Sequence, residues 1–470
     1  MPTLRLRSLL ISINIILGGI FITTLVTISS ISKEDGFRYI SDDVPVAGTT
    51  RGGGSNEVQF NSDDEIITTT AFENDLQKEK EKNKKLEETI ATLLAQQQSS
   101  SAEDTFSSNS FQQQLRQSYN HNSNTTKEED TRRGPYADII SPHIGYKKVL
   151  VTGAAGFVGS HVAEALLARG DDVVIVDEMN DYYDVRMKEK NIQRLVEMYP
   201  DEKRLAIYRG DICDEEFMLQ LFEKEHPQWV CHMAARAGVR PSIQDPFPYI
   251  HSNIEGTTHL MELSHKFGVK NFVFASSSSV YGGSKNAFFS EDENVDNPIS
   301  PYAASKKACE LLAYTYHHLY QLNVTGLRFF TVYGPRGRPD MAPFKFVDHV
   351  SRGLELQQFG DGSSSRDYTY IDDIVDGVLR AIDRPYKYEI INLGKGSGAS
   401  LREFLDIVQK HVGKKAIIKI LPDQLGDLPY TCANVSKAYD LLGYRASVPL
   451  DEGIKKTVDW YVNEYRQNMY

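Results

Sequence analysis

Two short stretches of the chain carry side chains able to move protons together. At 274–283 the sequence reads FASSSSVYGG, an apolar run that ends in four hydroxyls, Ser276 to Ser279, followed by Val280 and Tyr281. Twenty-one residues past Tyr281 stands YAASKK, with Tyr302 and Lys306 at i, i+4. On a helix that spacing puts phenol and ammonium on one face, and a cation beside a phenol favours the phenolate. A tyrosine so placed can act as a base near neutral pH. A serine hydroxyl at the C-terminal end of a strand can share the proton. Each stretch alone is weak, because serine runs are common in linkers and Tyr-x-x-x-Lys pairs in ordinary helices. The residues upstream give them meaning.

KKVLVTGAAGFVGSHVAEALLARGDDVVIVDEMND at 147–181 reads as strand, glycine turn, helix, second strand and acid. Gly153, Gly156 and Gly159 let the backbone turn tightly and approach a pyrophosphate seated on the N-terminus of the next helix, where Phe157 and Val158 begin its first turn. Val162, Leu166 and Leu167 give that helix an apolar face. Asp177, 24 residues after Gly153 and at the end of the second strand, suits the adenosine ribose diol and repels a 2′-phosphate, so NAD is expected over NADP. YRGDICD sets Asp211 and Ile212 after a third strand, where Asp211 either meets the adenine edge or caps a helix. WVCHMAARAGVR ends a fourth strand in small residues, Ala234 and Ala235, beside the cofactor. The serine run then tips a fifth strand, KNFVFA, and a positive nicotinamide ring would further favour a Tyr302 phenolate.

With TGAAGFVGSH, SSSSVYG, YAASKK, LRFFTVYGPRGRPDM and RDYTYIDDI in this order over about 147–465, the chain resembles the extended short-chain dehydrogenase/reductases of the nucleotide-sugar epimerase and dehydratase group. It is most similar to their UDP-glucuronate 4-epimerase branch, as found in plants, whose members also carry an N-terminal anchor helix. The resemblance implies an α/β fold: a Rossmann-type parallel sheet with helices on both faces and a smaller C-terminal substrate domain. It also implies that Ser277 is the catalytic hydroxyl beside Tyr302 and Lys306, and that the chain pairs as a homodimer through two helices, one bearing Tyr302. In this group Tyr302 would take the sugar 4-hydroxyl proton while hydride leaves carbon 4 for NAD.

The fate of the resulting ketone separates the branches. Dehydratases resemble one another in carrying Asp-Glu before the VYG motif, and UDP-glucuronate decarboxylases in carrying Ser-Glu. Here Ser278 and Ser279 stand there, and neither does acid/base work at neutral pH. UDP-galactose epimerases resemble RYFN where this chain has RFFT, so Thr331 replaces an amide; a hydroxyl with a nearby guanidinium suits a substrate carboxylate. Arg338 is the first candidate for that guanidinium, with Arg240 and Arg336 as others, while Arg366 is the pyrophosphate ligand by position. The group commonly reads HLAAQAGVR where this chain has Arg236 in HMAARAGVR. The expected function is NAD-dependent epimerisation of UDP-glucuronate to UDP-galacturonate. Decarboxylation, another nucleotide-sugar 4-epimerisation and a non-catalytic membrane-anchored scaffold are the alternatives.

The rest of the 470 residues is organised around that core. Residues 8–32 are uncharged, long enough to span a bilayer as a helix. Arg5 and Arg7 precede the run and Glu34 and Asp35 follow it, which orients it as a type II anchor; a cleaved signal peptide is the rival reading. The expected plan is a cytosolic tail at 1–8, a transmembrane helix at 9–28 and a low-complexity stem at 29–146. A helix at 72–95 within the stem is either solvated or a short coiled coil. An NAD-binding domain at 147–330 comes next, interleaved with a mainly substrate-binding domain at 331–470. The resemblance implies a Golgi membrane protein with a lumenal catalytic domain. The net charge of −12 argues against nucleic acid as a partner. Cys213, Cys231, Cys309 and Cys432 match neither a metal site nor a disulfide framework, so no metal is expected and the thiols should be free and buried. Asn124, Asn323 and Asn434 lie in glycosylation sequons.

Overall fold

Short β-branched runs alternate with amphipathic helices from Lys148 onward, and the backbone follows them. The computed structural model describes residues 139–422 and 429–469, together with the backbone of 9–17 and 20–28. In chain order the framework is β1 (Lys148–Thr152), α1 (Phe157–Ala168), β2 (Asp172–Asp177), α2 (Val185–Met198), β3 (Leu205–Arg209), α3 (Glu215–Glu225) and β4 (Trp229–His232). It continues with α4 (Gly256–Lys266), β5 (Asn271–Ser277), α5 (Pro301–Tyr320), β6 (Val324–Phe329), α6 (Ile371–Ile382) and β7 (Tyr388–Leu393). The seven strands lie side by side in the order β7-β6-β5-β4-β1-β2-β3, and every neighbouring pair is parallel. The strand order reverses between β1 and β4, and a crevice opens there at the C-terminal ends of the strands.

Strand side chains alternate between two apolar layers, as a period of two demands. Val149, Val151, Val173 and Ile175 pack on one face with Leu166 of α1 and Ile374 of α6. Leu150, Val174, Phe272 and Phe274 pack on the other with Leu221 of α3, Leu260 of α4 and Ala313 of α5. Both faces are thus covered, as an all-parallel sheet requires. The helix that carries Tyr302 is set firmly: the Ser300 hydroxyl accepts the Ala303 N–H and Pro301 opens the first turn.

After β6 the chain leaves the sheet, and short strands pair outside it: Thr331–Tyr333 with Tyr368–Tyr370, and Glu355–Phe359 with Ile417–Leu421. It then returns through α6 and β7. One apolar core runs from Val149 to Tyr461 across residue 330, so the C-terminal third interleaves with the nucleotide-binding part.

The helix expected over 9–28 is not the conformation described there. Leu9–Leu17 and Ile20–Ile28 pair as antiparallel strands, Leu9 opposite Ile28 and Leu17 opposite Ile20. The run is dense in Ile, Thr and Val and is divided by Gly18-Gly19, a composition that favours strands joined by a two-residue connection. Among the described residues no helix is long and apolar enough to cross a membrane. Of the expected stem at 29–146, residues 29–138, with the helix at 72–95 and Asn124, lie outside the described residues, as does the tail at 1–8. All four cysteines are unpaired; Cys231, Cys309 and Cys432 are buried and Cys213 is partly exposed.

Candidate active site

The glycine turn and the serine-tipped strand open onto one cavity of about 400 Å³ at the crevice between β1 and β4. Its walls include Gly153, Gly156, Phe157, Val158 and Gly159 from the turn, Asp177 from β2, Asp211 and Ile212 after β3, and Ala234 and Ala235 after β4. Ser277, Ser278, Ser279, Tyr302, Lys306, Thr331 and Arg338 line the same space. Elements far apart in sequence therefore bring the expected cofactor residues and the expected proton-moving residues together.

The cofactor side fits a dinucleotide on geometry alone. Gly153 has φ +67°, and a Cβ there would stand 2.6 Å from the Ala234 backbone nitrogen, so only bare backbone fits where a diphosphate must come close. Asp177 is fixed by two amides: its Oδ2 accepts the Ala155 N–H at 3.0 Å and its Oδ1 the Met179 N–H at 2.9 Å. Lys188 lies 4.0 Å from Asp177 and donates to Asn180. Asp211 is not the cap of α3, a role taken by Asp214. Asp211 instead accepts the Cys213 N–H and faces His251 Nε2 at 2.9 Å. Ligand atoms of Asp211, Cys213 and His251 fall within 4.8 Å of one another, a grouping their sequence spacing does not reveal; the Cys213 thiol donates to the His251 carbonyl.

At the reacting end, Ser277 closes β5 and its Oγ accepts the Ser279 N–H at 3.1 Å, which starts a 3-10 turn over Ser278–Tyr281. Lys306 is buried and its Nζ donates to the Ala275 carbonyl at 2.8 Å. Burial raises the Tyr302 phenol pKa above its ordinary value, and the Ser277 hydroxyl and the Arg338 guanidinium pull it back down. Burial lowers the Lys306 pKa. The expected lowering of the phenol by Lys306 is therefore not found: burial outweighs the pull of Ser277 and Arg338, and the Lys306 ammonium is directed at the strand carbonyl.

The candidate arginines part company. Arg338 is held by Asp340, with Nη2 to Oδ2 at 2.6 Å, and by the Ala237 carbonyl at 3.0 Å. Its guanidinium carbon lies 5.2 Å from the Tyr182 ring centroid, and that of Arg236 lies 5.3 Å from the same ring. Arg236 also faces Glu178 at 3.8 Å, so it belongs to the wall of the cleft. Arg336 does not. It has φ 62°, and its side chain turns to Glu164 at 2.9 Å and His161 at 3.2 Å on α1. Its expected substrate-binding role is corrected accordingly. Arg240 is exposed and packs on Phe359, 4.6 Å from the ring centroid, and Arg366 donates to the Ser365 carbonyl. Neither forms part of this cavity's wall.

Residues 149–394 match the NAD dependent epimerase/dehydratase family. The chain belongs to that family. A UDP-glucuronate 4-epimerase of Thermodesulfobacterium geofontis is 46% identical over 312 residues, which are 66% of this chain and 95% of the relative. The Arabidopsis thaliana UDP-glucuronate 4-epimerase 4 is 43% identical over 337 residues, 67% of this chain and 76% of the relative. Among solved structures, the UDP-glucuronic acid 4-epimerase of Bacillus cereus, in complex with UDP-glucuronic acid and NAD, superposes with a TM-score of 0.62 at 37% identity, covering 67% of this chain and 98% of its own.

Within this member of the epimerase/dehydratase family, sequence reasoning missed several walls of the cleft. Tyr182, Tyr183, Lys188 and Met341 all line it. The Tyr182 hydroxyl donates to the Ala237 carbonyl, tying the loop after β2 to the segment after β4. The signal was present in DEMNDYYD, where two tyrosines stand five and six residues after Asp177, but aromatic residues in a loop point to no chemistry until their neighbours are known.

Proposed function

We propose that the chain epimerises UDP-glucuronate at carbon 4 to UDP-galacturonate. The observation that carries this is the company kept by Ser277, Tyr302 and Lys306: Ser278, Ser279, Thr331 and Arg338 surround them in one cavity, with no carboxylate from the serine run. Bound NAD supplies a reversible hydride acceptor for carbon 4. Tyr302, steadied by Ser277, takes the 4-hydroxyl proton and later returns it. Lys306 holds the floor of the site through Ala275. The resulting 4-keto uronic acid is a β-keto acid, which loses carbon dioxide when the scissile bond aligns with the carbonyl π system. Thr331 and Arg338 hold the carboxylate out of that alignment, and the absence of a Glu at Ser279 denies a decarboxylating or dehydrating branch its acid. The ketone then turns over and accepts hydride on its other face. Arg366, two residues before the Tyr368–Thr331 strand pair, is the proposed pyrophosphate ligand.

The reading extends to assembly and location. Leu311, Tyr314 and Leu319 on α5 are 57%, 53% and 59% exposed, which supports homodimerisation through α4 and α5. The uncharged run at 8–32 supports a type II Golgi anchor with the catalytic part lumenal. In lipid an isolated two-stranded ribbon would leave its edge amides unpaired, whereas a helix would satisfy them, so the run is proposed to be helical once inserted. Use of Asn124 by the glycosylation machinery would report the lumenal orientation, and an unmodified, protease-accessible catalytic part would refute it.

Proton NMR of UDP-glucuronate with the purified protein and NAD tests the activity. An equilibrium mixture with UDP-galacturonate and no pentose is expected. UDP-xylose as the main product would overturn the carboxylate-holding argument, and no conversion would overturn the substrate.

A further inference from the structure

The first serine of the run, Ser276, commits its hydroxyl to a carboxylate outside the proton relay. Its Oγ donates to Glu310 Oε1 at 2.7 Å, and Glu310 stands two helical turns beyond Tyr302 and one beyond Lys306 on α5. Glu310 is 1% exposed. It also receives a two-point clamp from Arg328 at the end of β6, Nε to Oε1 at 2.8 Å and Nη2 to Oε2 at 2.8 Å. Sheet register makes the grouping a layer: Ser276 on β5, Arg328 on β6 and Asn392 on β7 are direct neighbours. The Arg328 guanidinium carbon lies 4.8 Å from the Tyr281 ring centroid, and the Tyr281 hydroxyl donates to Asn392 at 2.7 Å. Arg328 lies three residues before Thr331, Ser276 one before Ser277, and Tyr281 two after Ser279.

We infer that Glu310 is a positioning residue for the reaction: with Arg328 it locks α5 against β5 and β6, and so sets the distance between Tyr302 and Ser277. A buried ion pair is weak evidence for net stability, since an apolar pair of the same volume often does as well. An apolar pair would not supply direction. The bidentate fork fixes the rotation of α5, and Ser276 carries that register to the residue beside the relay. Errors of about 1 Å in such a site cost on the order of 100-fold in rate.

The inference rests on the chain being a Tyr302-dependent epimerase, not on which UDP-sugar it takes. The test uses Glu310→Gln in the NAD-loaded protein, with Ser276→Ala as the variant that leaves the ion pair whole. Turnover should fall about 10- to 100-fold with KM changed by less than about threefold, and bound NAD should be retained. A readout independent of sugar is the ionisation of Tyr302, taken as the ultraviolet difference between each protein and its Tyr302→Phe counterpart. The groups that face Tyr302 are Ser277, Arg338, Cys309 and Tyr249. Those that face Glu310 are Arg328, Lys307, Cys309 and Tyr388. Ser277 favours the phenolate, so loosening it should move the ionisation to higher pH. Loss of the Glu310 charge acting directly would move it lower. An unmoved or lowered ionisation with normal turnover in folded Glu310→Gln would overturn the proposal. If Glu310→Gln fails to fold, Arg328→Lys, which keeps the charge and loses the two-point fork, takes its place, and a wild-type Tyr302 ionisation and rate there would overturn the proposal equally. Failure of the wild type on UDP-glucuronate alone, with turnover of UDP-glucose, would instead strike the substrate reading.

Discussion

The turn between β1 and α1 and the loop at 334–341 both build the cleft, but they build it from different material. In the first, bare backbone forms the surface and the side chains must be absent. In the second, side chains do the holding and the backbone only aims them. Arg336 and Arg338 are two residues apart, yet one grips α1 through Glu164 and His161 while the other lies against Tyr182 and Asp340 in the cleft. A binding surface made of backbone tolerates no added atom. One made of side chains can lose a member and keep its shape.

That contrast is broken most severely at Gly153. In Gly153→Ala the methyl would meet the backbone of Ala234, 2.6 Å from its nitrogen, at a φ that L residues avoid. The neighbour is main chain and cannot rotate away. Purified Gly153→Ala protein should therefore carry no NAD and show no epimerisation, measured by cofactor release on denaturation. A variant that retains stoichiometric NAD would mean that the diphosphate does not pass over this turn.

Arg338→Ala should be milder. A charge-assisted hydrogen bond is worth about 1.5–3 kcal/mol, so KM for UDP-glucuronate should rise about 10- to 100-fold and the share of pentose product should grow. An unchanged KM and product ratio would remove Arg338 from the carboxylate. Arg336→Ala, its neighbour, should leave KM within about twofold and cost about 1 kcal/mol of stability, because Glu164 keeps Arg194 as a second, exposed partner. If Arg336→Ala raised KM as much as Arg338→Ala, the two sides of the loop would not be separate.

The same contrast explains what the sequence disclosed. The NAD-side residues from Gly153 to Ala235 and the Tyr302–Lys306 pair follow from backbone needs and helical spacing, both of which are local, whereas the parallel sheet and the choice of Ser277 among four serines came with the family resemblance and the strand order only with the structure. Arg336 escapes such a reading because a positive φ at that one residue reverses where its side chain points, and nothing in GPRGRPDM signals it. Ser276 looks interchangeable with its three neighbours until strand alternation turns it toward Glu310, whose own role needs a partner 18 residues on. The run at 9–28 has the length of a membrane helix and the β-branched composition of strands; length and propensity disagree there, and in the described backbone propensity prevails. Lys306 can be paired with Tyr302 by spacing, but its preference for the Ala275 carbonyl depends on where β5 ends.

The smallest effect, and the finest test of how the arginine loop is docked, concerns protonation of His161. Its Nδ1 lies 2.8 Å from the Phe157 carbonyl, and its Nε2 lies 3.2 Å from Arg336 Nε. Arg336 can only donate, so Nε2 must accept and the ring must be neutral with its proton on Nδ1. Burial, and then the Arg336 charge, hold its pKa well below the ordinary histidine value. An unfolded chain takes up that proton near pH 6.5 while the folded one does not, so the unfolded state binds more protons below that pH. The stability due to neutral His161 is complete above pH 6.5 and drains away as pH falls, by at most about 1.4 kcal/mol per pH unit. In His161→Gln, which keeps an acceptor for Arg336 without a titrating group, urea-unfolding stability should fall less steeply between pH 6.5 and 5 than in the wild type, with little difference at pH 7.5. Parallel curves would mean that the ring takes up its proton in the folded chain as well and no longer accepts from Arg336, and the loop would then be held by Glu164 alone. A difference confined to this window would place His161 as the pin that fixes the back of the loop to α1, leaving its front free to present Arg338.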